Sequence, residues 1–260
     1  MNRYGRNASV FVTAAMFVAL SSLSILMASC RTTDYSGSEP VGEVGPQRYV
    51  TPVHQVLTPT GLQVDLPGMR PQAVALSPDG RLLATSGKTQ QLVLIDPQSG
   101  AVKDRIALPS GQALDPNDVS SHILKPDTSG QLSFTGLIFS PDGSRIYLSN
   151  VDGDVKVFEV GADGQVRGLP PIALPLANAP WRKEEIPAGL AISRDGRRLY
   201  IALNLSNRLA EIDTTTGSVL RLWPVGVAPY DVVLVGEKVY VSNWGGRVPD
   251  ADSLTGPAGQ

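Results

Sequence analysis

The feature that most constrains this chain is that it repeats. Residues 72–100 (QAVALSPDGRLLATSGKTQQLVLIDPQSG), 136–164 (GLIFSPDGSRIYLSNVDGDVKVFEVGADG) and 189–217 (GLAISRDGRRLYIALNLSNRLAEIDTTTG) are versions of one unit. A fourth version begins at Asp231 with DVVLVGEKVYVSN, and VLTPTGLQVDLPG at 56–68 matches the end of a unit. Gly61 and Gly100 lie about 40 residues apart, as do Tyr200 and Tyr240, and later units carry about 24 and 13 extra residues. A period of this size means one small unit that cannot bury its apolar surface alone and must stack on copies of itself.

Each unit reads as four strands. Strand A is short and apolar, as in Ala73–Leu76 or Leu190–Ile192. Strand B follows a tight Asp-Gly turn and covers Arg81–Ser86, Arg145–Asn150 and Arg198–Leu203. Strand C ends near Asp96 or Asp213, and strand D follows a second turn that ends in Gly. Ser-Pro-Asp-Gly suits a turn because Pro presets φ, Asp bonds its own backbone and Gly accepts positive φ. The 26 glycines and 21 prolines are thereby accounted for as turns between short strands. The expected fold class is all-β, a propeller of four-stranded blades, with about four blades present. Residues 53–260 form that propeller, which reads as C-terminally incomplete.

The pattern "strand, SPDG, strand ending Tyr-x-x-Asn, then strand, Ile-Asp, turn, Gly, strand" resembles the YVTN-type propeller repeat. Leu199–Asn207 and Val239–Asn243 carry it best. That resemblance implies a ring of about seven blades, so missing blades would add about 120 residues. The incomplete seven-bladed ring is one expectation, and a four-bladed ring closed by the first and last half-blades is the other. His122-Ile-Leu-Lys-Pro-Asp in an insert and Ser-Asn-Trp-Gly-Gly-Arg at 242–247 resemble the N-terminal half of bifunctional proteins. In that family a propeller precedes a phosphoesterase of the alkaline-phosphatase superfamily. The resemblance implies a metal-dependent hydrolase domain beyond residue 260, holding a divalent metal that these residues do not.

The N-terminus reads as an address. Arg3 and Arg6 precede an apolar run of small residues from Ala8 to Ser29, the pattern of a secretory signal. Leu26-Met27-Ala28-Ser29-Cys30 is similar to a bacterial lipobox, with the chain's single cysteine at the lipidated position. Residues 1–29 are thus expected to be a lipoprotein signal peptide, with Cys30 as lipidation site. An uncleaved membrane anchor and ordinary secretion are the alternatives. Every version exports the rest of the chain to the bacterial cell envelope, facing the periplasm or the exterior. Residues 30–52 are polar and rich in Gly and Ser, and read as a flexible tether from membrane to domain.

Composition excludes several classes. The net charge of −2 argues against nucleic acid as a partner. One cysteine allows no internal disulfide, and two histidines offer little for a His-rich metal site. Gly87-Lys88-Thr89 echoes the end of a P-loop but lacks its first glycine and its helix. Asn150-x-Asp152-x-Asp154 suggests a calcium loop, but Val155 stands where Gly is needed. There is no Gly-x-Ser-x-Gly elbow. No catalytic, cofactor or metal residue is therefore assigned.

The insertions share one side. In a blade, A–B and C–D turns open on one face, while B–C loops and D-to-A links open on the other. Both long inserts, residues 110–133 and 169–186, are D-to-A links, and the segment 244–260 occupies a B–C position. Loops that depart from a rigid scaffold are where binding concentrates. His122, Trp181, Trp244 and Arg247 are the candidate binding face, for a small ligand, a protein or a downstream phosphoesterase domain. Each also has a structural reading: a hydrogen-bonding histidine, a cover for an insert, a loop filler. Asn150, Asn204 and Asn243 near the ends of B strands read as turn caps. The expected function is an exported, membrane-anchored binding or scaffold module without its own catalytic set. The alternative is the N-terminal part of the phosphoesterase described above.

Overall fold

A computed structural model describes residues 39–87, 91–108, 132–177, 179 and 182–253. Two compact units divide the chain at Gly61. The first holds a three-stranded antiparallel meander: β1 (Gly42–Gly45), β2 (Arg48–Val50) and β3 (Val56–Leu57). Gln47 takes a left-handed φ between β1 and β2. The turn from β2 to β3 holds Pro52 and is closed by Thr51, whose carbonyl accepts from His54 and whose Oγ1 accepts from the Gln55 amide. Proline at the second turn position and a left-handed His54 favour that reversal. The tether expected over 30–52 therefore does not extend through residues 42–50, which are paired strands. The half-blade expected at 56–68 is also corrected. Among the described residues only Val56–Leu57 is a strand there, and it pairs with β2.

The second unit holds the repeats. β4 (Pro71–Leu76), β5 (Leu83–Gly87), β6 (Gln91–Ile95) and β7 (Val102–Ala107) form the first blade. β8 (Leu132–Phe139), β9 (Arg145–Asn150), β10 (Asp154–Val160) and β11 (Val166–Ala173) form the second. β12 (Pro187–Ile192), β13 (Arg198–Leu203), β14 (Arg208–Asp213) and β15 (Val219–Pro224) form the third. β16 (Pro229–Val235) and β17 (Lys238–Asn243) pair as the A and B strands of a fourth. All neighbours are antiparallel and sequential, so the chain is an all-β propeller of four-stranded blades. β9 and β13 match the B strands read from the repeat, whereas β5 begins at Leu83 rather than Arg81, and β11 runs to Ala173, so the link expected at 169–186 begins at 174.

The A–B turns show why Ser-x-Asp-Gly recurs. The Ser77 hydroxyl donates to Asp79 Oδ1 (2.6 Å) and accepts the Leu82 amide (2.9 Å), while Asp79 also accepts the Arg81 amide. Ser140–Asp142 and Ser193–Asp195 repeat that network. These bonds favour the ionised carboxylate, and the Ser hydroxyl is the leading reason that Asp79, Asp142 and Asp195 lie below the ordinary carboxylate range.

Blades pack face to face through alternating side chains. Leu137 and Phe139 of β8, with Ile146 and Leu148 of β9, meet Ala73, Ala84, Leu92 and Leu94 of the first blade. On the opposite face of the second blade, Ile138 and Tyr147 meet Leu190, Leu199 and Ile201 of the third. Tyr200 and Ala191 of the third blade in turn meet Val232, Leu234, Val239 and Val241 of the fourth. Glycines at matching A-strand positions let the innermost strands close up. A Cβ on Gly136 would strike Ser149 and the Ala188 carbonyl, and one on Gly189 would strike Asp231. Ser149 Oγ donates to that same Ala188 oxygen (2.6 Å), joining the second blade to the third.

Candidate binding face

The D-to-A link from the second blade to the third, residues 174–186, is described except at 178, 180 and 181. Backbone bonds hold it at both ends. The Leu174 amide donates to Gly153 (2.9 Å), and the Ala177 amide to Lys183 (2.7 Å). The Arg182 guanidinium donates to the Val151 carbonyl in the neighbouring B–C turn. The main anchor is Glu185, which is fully buried. Its Oε1 accepts the amides of Ile186 (3.0 Å) and Leu205 (2.9 Å), and its Oε2 accepts the Ser206 hydroxyl. A buried carboxylate needs such donors, since an unpaired one costs several kcal/mol. Here they come from the link itself and from the B–C turn of the third blade, so the carboxylate locks the two together.

That B–C turn is joined onward to the fourth blade. Asn204 Nδ2 donates to the Pro229 carbonyl (3.0 Å), and Asn207 Oδ1 accepts the Ala228 amide (2.8 Å). Asn207 stands at φ 55°, a conformation asparagine tolerates better than most residues. Asn150 and Asn243 act more locally. Asn150 Nδ2 donates to Asp154 Oδ1 (3.0 Å), and Asn243 Nδ2 to the Val241 carbonyl (3.3 Å). Asn204 therefore does more than cap its own turn, because it reaches the next blade.

Of the four candidate residues, the structure describes Trp244 and Arg247. His122 and Trp181 lie outside the described residues, as does Cys30. Trp244 follows β17 and is 70% exposed, with its ring stacked on Tyr230 at 4.5 Å between centroids and 16° between planes. Its amide donates to Ala228, and the Gly245 amide donates to Val227, extending the β16–β17 pairing past the strand end. Gly245 is required for this approach, because a Cβ would lie 2.6 Å from Val227 Cγ1. Arg247 turns toward the segment that follows it. Its guanidinium pairs with Asp250 (2.8 Å) and donates to Ser253 Oγ (2.9 Å). The Ser253 hydroxyl, then Arg247, holds the Asp250 carboxyl below its usual range. Trp244 thus stands on an aromatic platform beside Tyr230, while Arg247 braces residues 247–253.

Sequence reasoning missed Glu185 and Tyr230. Glu185 carried one signal, an acid placed directly before the apolar A strand. Tyr230 carried none that separates it from packing tyrosines, because its partner lies across the hairpin. Among the described residues no three His, Cys, Asp or Glu side chains converge as a metal site. Among them no helix is long and apolar enough to cross a membrane, and the apolar run 8–29 lies outside them.

No protein-family model matches the sequence, and no curated protein matches it. Solved structures do resemble the fold. One is the Cps50 (Swd1) β-propeller domain of Myceliophteria thermophila, at 12% identity and a TM-score of 0.51, covering 74% of this chain and 54% of that one. Another is U3-55K, at 14% identity and a TM-score of 0.47, covering 66% of this chain and 43% of that one. This chain therefore spans about half the length of the solved chains it matches. The first likeness, together with the four-stranded sheets, shows the fold and nothing about activity.

Proposed function

We propose that this chain is an exported, lipid-anchored propeller that binds or scaffolds a partner through the face carrying its D-to-A links and B–C turns. The blades supply a rigid frame; Glu185 and Arg182 fix the link at 174–186 to it, and Asn204 and Asn207 fix the B–C turn of the third blade to the fourth. One observation carries the reading. Trp244 leaves most of its ring in solvent while Tyr230 and two backbone bonds hold it in place. A pre-positioned aromatic surface suits a ligand with a flat apolar face, and it loses little conformational freedom on binding. Cys30 would carry the acyl anchor that keeps the domain at the envelope.

The test combines labelling and crosslinking in intact cells. A palmitate analogue should label the wild-type chain and not Cys30→Ser, which should leave the membrane fraction. Label persisting in Cys30→Ser overturns the anchor. A photo-crosslinking residue at 244 should give adducts that the same residue at 142, in an A–B turn on the opposite face, does not. Equal yields at both positions overturn the binding face.

A second reading rests on the motif Ser242–Arg247, which resembles phosphoesterase-linked propellers. In that reading the propeller is the binding half of a metal-dependent hydrolase whose catalytic domain lies elsewhere. The 260-residue chain should then leave p-nitrophenyl phosphate unhydrolysed, with or without added zinc or magnesium. Turnover by this chain would contradict both readings.

A further inference from the structure

The first unit is thinly packed. Among its described residues, the meander of β1, β2 and β3 fully buries one apolar side chain, Val50. Three short strands need a covered apolar face to stand in water. Val41 is 57% exposed, Val53 72%, Val56 37% and Leu57 49%. In a unit this small they make a patch rather than a scatter of single side chains.

The register gathers three of the four at one end of the meander. Gly42 pairs with Val50, so Val41 stands beside the Thr51–His54 turn that carries Val53. Val56 pairs with Val50 at the same end. The opposite end is the turn at Pro46 and Gln47, where Gln47 Nε2 donates to the Gly61 carbonyl (3.1 Å). The acids of the unit are placed elsewhere or paired. Glu39 pairs with Arg48 (2.9 Å), and Glu43 lies across from Tyr49. His54, in the turn, adds no negative charge.

The chain from Cys30 joins β1 at that same apolar end, through Glu39 and Pro40. Eight residues, 31–38, lie between Cys30 and Glu39. Nine extended steps reach about 30 Å, so an acyl group on Cys30 holds the meander within that distance of the lipid. We propose that the Val41–Val53–Val56 end of the meander seats in the membrane interface beside the Cys30 anchor. The occupant follows from the length of the tether and the end at which it joins. Tethering raises the effective concentration of the patch at the bilayer, and the interface takes its aliphatic side chains out of water. This inference rests on the acyl anchor and adds a second membrane contact to it. It does not involve the Trp244 face.

The test places a polarity-sensitive fluorescent amino acid at position 53, 56 or 46, one at a time, in the full acylated chain. The chain is reconstituted in vesicles of phosphatidylethanolamine and phosphatidylglycerol. Emission from 53 and 56 should move to shorter wavelength and be lost when spin-labelled lipid is included, while emission from 46 persists. Val41→Asp with Val53→Asp, both at exposed sites, should retain the wild-type circular dichroism and restore the emission of the probe at 56. If that pair alters folding, Val53→Asp alone reads the same contact, and Val53→Leu should keep the quenching. Equal quenching at 46 and 53 overturns the proposal, as does quenching at 56 that survives the aspartates. A palmitate analogue is followed in the same preparation. Acylated protein with an unquenched residue 53 overturns this contact and leaves the anchor standing, whereas absence of the acyl label removes both.

Discussion

Tyr200 and Tyr240 occupy the same place in the repeat and meet different surroundings. Both follow an A–B turn, and both pair across to the A strand, with Ala191 and with Val233. Tyr200 packs against the fourth blade in a shared apolar cluster, while half of Tyr240 faces solvent. Their strands differ in the same way. Leu199, Ile201 and Leu203 of β13 are fully buried, whereas β17 alternates between exposed and half-buried. Although the A–B turns differ, the local sequence sets the strands and the cross-strand partner of the tyrosine alike in both blades. Burial is set by what stacks on the blade, so the same residue type packs a core in one place and offers a surface in the other.

The largest effect that separates the two regions should come from the third blade's core. Ile201→Ala should cost about 2–5 kcal/mol in urea unfolding, because it opens a cavity between two blades. Tyr240→Ala should cost no more than about 0.5 kcal/mol in the single chain. Comparable losses would mean that β17 is covered in solution.

Glu185 comes next. Glu185→Leu removes the carboxylate that accepts the Ile186 and Leu205 amides and the Ser206 hydroxyl, and should cost about 1–3 kcal/mol. Hydrogen exchange should quicken first in residues 204–207 and leave the β16–β17 pairing protected. Uniform loss of protection would show that the link and the fourth blade open together.

Gly245→Ala sharpens the comparison at the end of β17. The new methyl group meets Val227 and should cost about 1–3 kcal/mol, read as a lower thermal midpoint. Trp244 emission should shift as its stack on Tyr230 loosens. A cost near zero would mean that residues 225–228 yield to the side chain.

The smallest effect is a difference in acid response. Asp79, Asp142 and Asp195 have folded pKa values held below the unfolded value by hydrogen bonds. Their contribution is present above the unfolded aspartate value of about 3.9 and fades as pH falls toward the lower folded values. The fourth blade's A–B turn, Val235-Gly236-Glu237, has neither the Ser nor the Asp. Hydrogen exchange corrected for intrinsic rates should therefore show the first three A–B turns loosening between about pH 4 and pH 2. The fourth should respond less. A uniform response along the array would assign acid sensitivity to other groups.

What could be read in advance follows the range of the interactions involved. Blade boundaries were legible because Ser-Pro-Asp-Gly and the β-rich runs act within a few residues, and the structure returns strands such as Arg145–Asn150 and Arg198–Leu203 at the expected limits. The β1–β2 hairpin was not, because GEVG and RYV carry too little alternation to rise above a polar background. The half-blade expected at 56–68 failed for a related reason, since the match rested on turn residues and pairing needs a partner strand. Glu185 and Tyr230 escaped because their roles depend on residues about 20 and 14 positions away, beyond any local pattern. Burial of the three equivalent tyrosines, Tyr147, Tyr200 and Tyr240, was half legible. The repeat predicts which way each side chain faces, but not whether another blade is there.

The strictly sequential pairing of the sheets has a consequence for how the molecule forms. Each blade's strand-to-strand backbone hydrogen bonds close within one repeat, and its packing partners lie in adjacent repeats, so assembly can proceed by adding one hairpin pair at a time. At each step the newest blade shows the next one an uncovered apolar face, which centres on Ala75 and Ala84 in the first blade and on Tyr147 and Tyr200 in the second and third. During synthesis, a growing chain would therefore meet the same hazard of premature sticking several times over, and slowing the arrival of each successive blade would prolong it.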